Sequence, residues 1–366
     1  MGIDTGYWKG RRVFLTGHTG FKGGWLATWL SELGAKVTGY ALKPSTDPSF
    51  FKLCGLSGRI ESVMGDIMDV RTLQKAFSAA RPEIVFHLAA QPLVRRSYRD
   101  PVGTLSVNIL GTVNILEAIR KTASVKAAVV VTSDKCYENR EWSRGYCEDD
   151  PMGGRDPYSV SKGCAELVTA AYRRSFFETS TRSVAIATVR AGNVIGGGDW
   201  SEDRIVPDAI RALADGVAIN VRNPRSVRPW MHVLEPLCGY LMLAMRLARE
   251  GSRWSGGWNF GPENKHAVTV AQIAESLVRL WGAGTWEGTP DLKGTPHEAS
   301  LLQLDSHKAR SVLGWNPRLS VEQTLAMTID WYRCALSGKD RSKEMYKKSC
   351  EQIRKYEALA RSPVAV

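Results

Sequence analysis

The sequence contains no unbroken run of about 18 apolar residues, the length a membrane-spanning helix needs, so no membrane partner is expected. Near the N-terminus only Val13-Phe14-Leu15 is apolar before threonine and glycine intervene, too short for the core of a secretory signal. A cytoplasmic location is the expectation. No Cys-x-x-Cys pair occurs: the seven cysteines (Cys54, Cys136, Cys147, Cys164, Cys238, Cys334 and Cys350) are odd in number and scattered. That pattern argues against a disulfide framework and a zinc site, and no bound metal is expected. Internal repeats and low-complexity linkers are also missing. A net charge of +12, from 49 basic and 37 acidic residues, raises nucleic acid as a partner, but no recognised nucleic-acid motif accompanies it. Part of the excess lies in 339–361, where basic and acidic residues alternate as on a solvated helix face. The rest is dispersed, and an anionic small substrate suits it better than a nucleic acid.

At 366 residues the chain exceeds the size at which one core stops growing, so a large domain with a smaller partner is expected. Short apolar, β-branched runs at 12–16, 36–41, 59–64, 84–88, 127–133 and 184–191 read as strands. Helical stretches at 24–33, 70–80, 101–122 and 158–177 lie between them. Near-continuous apolar strands separated by helices predict a parallel sheet covered on both faces, the doubly wound α/β pattern. Beyond Ala191 the rhythm changes: Gly196-Gly197-Gly198 opens a loop, 206–214 reads as a helix, and short mixed segments run to Pro317. The stretch 235–248 is expected to return to the large domain. The predicted division is a dinucleotide-binding domain at 1–190 with a returning segment near 231–260, a substrate-binding domain at 191–230 and 261–335, and a basic helical tail at 336–366.

The first strand runs directly into Gly17-His18-Thr19-Gly20-Phe21-Lys22-Gly23, ahead of the first predicted helix. Glycines so spaced permit a tight turn, close backbone approach to a pyrophosphate and close helix–strand packing, while the helix N-terminus supplies free N–H groups. Alone they are a weak signal; their place between strand and helix is the context a dinucleotide requires. One expected residue is missing. The second strand ends at Ala41, followed by Leu42 and Lys43, where an acidic side chain normally accepts from the adenosine ribose. Lys43 raises NADP through a 2′-phosphate, but a lone loop lysine is more often solvated, so NAD, weakly held, is the expected cofactor.

Asp156-Pro157 suits the opening of a helix, and Tyr158 and Lys162, four residues apart, then share one face. An ammonium near a phenol favours the phenolate, so Tyr158 is expected to ionise below the usual value of about 10. A tyrosine so placed exchanges a proton with a sugar hydroxyl while a hydride moves to nicotinamide.

The G-x-x-G-x-x-G turn followed far downstream by Tyr158-x-x-x-Lys162 resembles the extended short-chain dehydrogenase/reductases. Within them, Val131-Thr132-Ser133-Asp134-Lys135-Cys136-Tyr137 resembles the sugar-nucleotide 4,6-dehydratases, whose strand end carries a hydroxyl residue, an aspartate and a glutamate. The resemblance makes Ser133 an aid to Tyr158 and Asp134 the general acid, and puts Lys135 where many relatives have glutamate, as a candidate base. An acid needs a raised pKa to hold its proton near neutrality, and Lys135 next door tends to lower it. Gly65-Asp66-Ile67 resembles the segment that faces the adenine, and His87-Leu88-Ala89-Ala90-Gln91 the segment lining the cofactor's phosphate and ribose side. The resemblance puts Asn108, within Ser106-Val107-Asn108-Ile109-Leu110-Gly111-Thr112, near the nicotinamide end, beside Tyr158 and Lys162 as cofactor contacts. On the substrate side it puts Asn193 of Arg190-Ala191-Gly192-Asn193-Val194, Arg204, Arg228 of Arg228-Pro229-Trp230-Met231-His232-Val233, and His297 of Thr295-Pro296-His297-Glu298. Pro229 replaces an aspartate of the family pattern; Arg228 would clamp phosphate through its donor fork.

The fold so implied is a Rossmann-type doubly wound parallel sheet with a smaller C-terminal α/β substrate domain. The implied activity is that of a lyase that borrows NAD internally to dehydrate a nucleotide-diphosphate hexose, feeding deoxysugars of surface polysaccharides. The Gly17–Gly23 turn, the Asp134-Lys135 step and Gly196-Gly197-Gly198-Asp199-Trp200 look most like the branch acting on CDP-glucose; the cytosine base rests on resemblance alone. The same resemblance suggests a homodimer packed through the helices at Pro101 and Tyr158, doubled in some cases to a tetramer. The rival readings are a nucleotide-sugar 4-epimerase, which needs no acid at carbon 6, and a non-catalytic dinucleotide-binding module of the same fold.

Overall fold

Val13 and Leu15 of the first strand, β1 (Arg12–Thr16), enter one core while Phe14 between them enters another. A strand buried on both sides must lie inside a sheet with helices on each face. The computed structural model, which describes residues 3–179, 183–262, 268–288, 301–338 and 342–362, has that architecture. Its sheet also holds β2 (Lys36–Ala41), β3 (Glu61–Met64), β4 (Ile84–His87), β5 (Ala127–Val131), β6 (Ala185–Ala191) and β7 (Gly256–Phe260). All seven strands are parallel, in the order β7-β6-β5-β4-β1-β2-β3. The order reverses between β1 and β4, and a ligand crevice in such sheets opens beyond the carboxyl ends of the strands at that point.

One face carries α1 (Phe21–Glu32), with Trp25, Leu26, Trp29 and Leu30 in the larger core. The other carries α2 (Val70–Ala80), whose Leu73 and Phe77 join Ile115, Leu116 and Ile119 of α3 (Pro101–Lys121). By length and composition alone α3 is long and apolar enough to cross a membrane; here those isoleucines and leucine are spent on the second core. Its middle is a π-turn at Ser106–Leu110 that carries Asn108. Next comes α4 (Pro157–Tyr172), capped by the Asp156 carboxylate on Ser159 N and extended by a π-turn at Arg173–Phe177.

The smaller part is built around α5 (Ile205–Ala214), from which the chain returns to the large core as α6 (Leu234–Glu250). It then forms α7 (Val270–Trp281), α8 (Val321–Leu336) and α9 (Ser342–Arg361). Short strand pairs tie the smaller part together: 194–195 with 231–232, 219–221 with 286–288, and 227–228 with 268–269.

Two expectations need correction. The returning segment contains β7 as well as α6, so the sheet gains a seventh strand beside β6. The C-terminal tail is solvated on one face only: Met345, Ile353, Tyr356 and Ala360 of α9 are buried in the larger core. There Trp29 of α1 donates to Glu357 at 2.7 Å, and the Tyr356 hydroxyl donates to Glu235 at 2.5 Å. Glu235, 1% exposed, also accepts the backbone N–H groups of Arg318 and Leu319, both at 2.7 Å. Burial pushes its carboxyl up to about 7.

Candidate active site

The glycine turn closes against the exit of β4. Gly17 has φ +78°, and a Cβ there would lie 2.8 Å from the backbone nitrogen of Ala89. At Gly23 a Cβ would lie 2.0 Å from the carbonyl oxygen of Gly17, so only glycine lets α1 start this near the turn. No side chain caps α1 at Gly20. Its first-turn N–H groups, those of Phe21, Lys22 and Gly23, are therefore available to an anion, which fits a dinucleotide pyrophosphate.

The Thr16 hydroxyl accepts from Leu88 N and Ala89 N, each at 3.1 Å, and so donates to His87 Nδ1 at 2.8 Å. Burial drives His87 down to about 3; the neutral ring then donates from Nε2 to Thr112, whose hydroxyl donates to the Asn108 carbonyl. His18, fully buried, stands where a side chain on Gly39 would be and pairs with Ser62 through Nε2 at 2.7 Å. Burial holds its ring down to about 4. Thr19 donates to the Leu42 carbonyl. Asp66 sits just past β3 with one carboxylate oxygen on Met68 N, and Ile67 packs over Gly111.

Asn108 is held by hydrogen bonds from both sides. Its carbonyl oxygen accepts Gln91 N at 2.8 Å and its amide donates to the Gln91 carbonyl and to Ser161 Oγ. Only 2% exposed, it joins the Leu88–Gln91 segment to α4. The Gln91 side chain is likewise engaged, with Thr104 and Leu93.

Ser133, Asp134 and Tyr158 come together at the end of β5, each 7% or 8% exposed. Ser133 donates to Asp134 Oδ1 at 2.9 Å, and its Oγ accepts Lys135 N at the start of the Asp134–Cys136 turn. Burial raises the Asp134 carboxyl, while the charge of Lys135, the Ser133 hydroxyl and the charge of Lys22 oppose it. Tyr158 differs from expectation. Burial pushes its phenol up to about 12, against the pull of Ser133; Asp134 adds to the rise and Arg204 opposes it. Lys162 donates to the Val131 carbonyl at 3.3 Å, and burial lowers its ammonium to about 8. The four-residue spacing gives a shared face, but depth on that face decides the charge.

On the substrate side, a Cβ on Gly192 would lie 3.2 Å from Asp134 Oδ2 and 3.5 Å from Pro229, so the segment bearing Asn193 borders the acid. Arg204 precedes α5 and donates to Asp199 at 2.7 Å; its charge reaches Tyr158. Arg228 is half-buried, with its guanidinium on the Val227 carbonyl. His297 lies outside the described residues. Among the described residues no group of three or more His, Cys, Asp or Glu is arranged to hold a metal.

Sequence reasoning missed what holds this floor in place. Glu166, one turn beyond Lys162, pairs with Arg190 through two hydrogen bonds of 2.8 and 2.9 Å, both side chains 5% exposed. Thr132 and Thr188 also donate to Glu166, each at 2.5 Å, and Arg190 donates to the Glu148 carbonyl. The Tyr137 hydroxyl, on Arg190, donates to Asn259 of β7 at 2.8 Å. The usable signal was the continued four-residue ladder Tyr158, Lys162, Glu166.

The profile of the family described as GDP-mannose 4,6 dehydratase matches residues 14–328, and the chain belongs to this family of sugar-nucleotide dehydratases. The chain is similar to the CDP-glucose 4,6-dehydratase of Salmonella typhimurium, with 51% identity over 342 residues, covering 92% of this chain and 95% of that one. A UDP-glucose 4-epimerase of Mycolicibacterium smegmatis is 26% identical, over 88% of this chain and 98% of its own. The dTDP-glucose 4,6-dehydratase of Bacillus anthracis in complex with NAD shares the fold: TM-score 0.73 and 19% identity over 92% of this chain and 99% of that one.

Proposed function

We propose that the chain converts CDP-D-glucose to CDP-4-keto-6-deoxy-D-glucose, with NAD on the glycine turn. The observation that carries this reading is Asp134, a buried carboxyl with a raised pKa beside Tyr158: dehydration needs an acid there and epimerisation does not. The 51% identity to a CDP-glucose 4,6-dehydratase supports the choice of nucleotide. NAD, held by the Gly17–Gly23 turn, would supply a hydride acceptor for carbon 4 and, once reduced, a hydride donor for carbon 6. Tyr158 takes the proton of the 4-hydroxyl, with Ser133 and Arg204 drawing its pKa down. Lys162, turned to Val131, is left to the cofactor. The 4-ketone acidifies carbon 5; a base there, for which Lys135 in its uncharged form is the candidate, takes that proton while Asp134 protonates the departing 6-hydroxyl, and carbon 5 is reprotonated once hydride has reached carbon 6. Asn193, Arg204 and Arg228 hold the diphosphate.

The chain should act as a homodimer or tetramer in the cytoplasm, through the outer faces of α3 and α4. Val102, Leu110 and Leu167 there are 73%, 53% and 59% exposed, and light scattering reads the mass directly.

Substrate deuterated at carbon 4 tests the reaction. The product should carry that deuterium in its new methyl group, with no net NADH in solution, and reaction in heavy water should label carbon 5. Deuterium returned to carbon 4 would mark an epimerase, and labelled NADH in solution an ordinary dehydrogenase. Either result overturns the dehydratase.

A further inference from the structure

Tyr240, on the second turn of α6, carries a hydroxyl that the resting fold leaves without a use. The side chain is fully buried, and among the described residues that hydroxyl has no hydrogen-bond partner. Phenylalanine would fill the same space without the cost of a desolvated polar group. The ring itself is pinned. It meets Phe260 of β7 edge-on at 5.5 Å, and a Cβ on Gly239 would lie 2.2 Å from the Phe260 ring, so only glycine lets α6 press this near β7. α6 packs across β5, the strand that leads into Ser133 and Asp134. The Lys22 ammonium stands 5.9 Å from the centre of the Tyr240 ring, and its charge reaches Asp134. Asp134 also acts on Tyr240 directly: burial holds the phenol above its ordinary value, and the carboxylate adds to the rise. The hydroxyl therefore keeps its proton and stands near the acid as an unused donor.

Dehydration creates the need for such a donor. When Asp134 protonates the departing 6-hydroxyl, the bond from carbon 6 to oxygen breaks, water leaves, and a buried carboxyl becomes a carboxylate. In open water that new charge would be solvated at once; Asp134, 7% exposed, has no such shell. Ser133 is committed to Oδ1 at 2.9 Å, and Oδ2 faces Gly192, which has no side chain to offer. We infer that the Tyr240 hydroxyl is a donor held in reserve for Asp134, unbonded while the acid keeps its proton and hydrogen-bonded to the carboxylate once the proton is gone. Tyr240 touches no reacting atom and is a positioning residue: it makes Asp134 a stronger acid for the loss of water. Oxidation at carbon 4, in which Asp134 gives no proton, does not call on it.

The inference rests on the dehydratase reading, and a comparison of the wild type with Tyr240→Phe separates the two. Both proteins are given CDP-glucose and NAD in a single turnover. Growth of NADH absorbance, which reports oxidation at carbon 4, should have the same rate in both. Its decay, which must wait for water loss, should be about tenfold slower in the variant below the alkaline limb, the worth of a hydrogen bond to a charged group. The pH profile of the decay supplies a signature that a packing role lacks. The hydrogen bond favours ionised Asp134, so its loss raises the carboxyl pKa, and the alkaline limb should move up by about one pH unit. Lys22, Lys135, Tyr158 and Cys136, the other ionisable groups that act on Asp134 or feel its charge, are common to both proteins. The melting midpoint of the variant should be no lower than that of the wild type, because the hydroxyl it loses has no partner in the resting fold. A lower midpoint, an unchanged decay, an unshifted limb, or equal slowing of growth and decay would each overturn the inference. A wild type that forms no 6-deoxy product overturns the dehydratase reading itself, and the inference with it.

Discussion

Glu235→Gln should flatten the stability of the protein against pH. In the unfolded chain a glutamate ionises near 4.5, whereas burial pushes Glu235 up to about 7. The stability is therefore undiminished below 4.5 and falls as pH rises toward and through 7, because the carboxyl loses its proton more readily in the unfolded chain. The full loss above pH 7 is about 3 kcal/mol, of which roughly 2.5 kcal/mol falls between pH 5 and 8. Glutamine fits the same contacts. Its carbonyl oxygen accepts the N–H groups of Arg318 and Leu319, and its amide nitrogen faces the Tyr356 oxygen, with no charge to desolvate. With an unfolding entropy of about 2.1 cal/mol/K per residue, the wild type should lose roughly 3 °C more than the variant between pH 5 and 8. Differential scanning calorimetry at four pH values reads this difference directly, since every other titrating group is common to both proteins. Parallel curves for the two would show that Glu235 does not titrate as the docking of α9 requires.

Tyr158→Phe should lower turnover by about 10²–10⁴-fold with little change in sugar-nucleotide affinity, because the phenol acts in the transition state. Retention of more than about a tenth of wild-type turnover would exclude it as the base. Asp134→Asn should separate oxidation from water loss, so that a single turnover accumulates bound NADH, seen as growing absorbance; dehydration at the normal rate would place the acid elsewhere, with Lys135 the next candidate. Ala41→Asp should tighten NAD by about 1–2 kcal/mol in calorimetry, the worth of a charge-assisted hydrogen bond to the ribose, and no gain would mean that the ribose does not reach the end of β2.

The sheet was legible wherever burial on both faces forced continuous apolar runs. β1, β2 and α2 have the predicted bounds, and β6 begins one residue late. β7 escaped because Gly256 and Gly257 open it without apolar side chains, and only pairing with β6 makes it a strand. Gly257 is required there: a Cβ would lie 2.4 Å from the Arg190 guanidinium. The Tyr158–Lys162 spacing was readable, but burial, which a spacing does not encode, raised the phenol and turned the lysine to Val131. Asn108 was readable as a site residue, yet the π-turn that aims it at Gln91 and Ser161 has no sequence mark. In the tail, alternating charges masked a buried stripe of Met345, Ile353 and Tyr356.

That stripe also sets an order of events during synthesis. Trp29, fully buried, is covered by Tyr356 and hydrogen-bonded to Glu357, more than three hundred residues later in the chain. The helix that carries the glycine turn therefore keeps an open apolar flank until α9 has been synthesised. A nascent chain stalled before Ser342 has every strand of the sheet in hand but cannot close the side on which α1 rests. Contacts between residues so far apart in sequence form slowly, and until they do an exposed indole surface invites association with other nascent chains or with a chaperone. The docking of α9 thus acts as a closing step in the assembly of the part of the chain that carries α1.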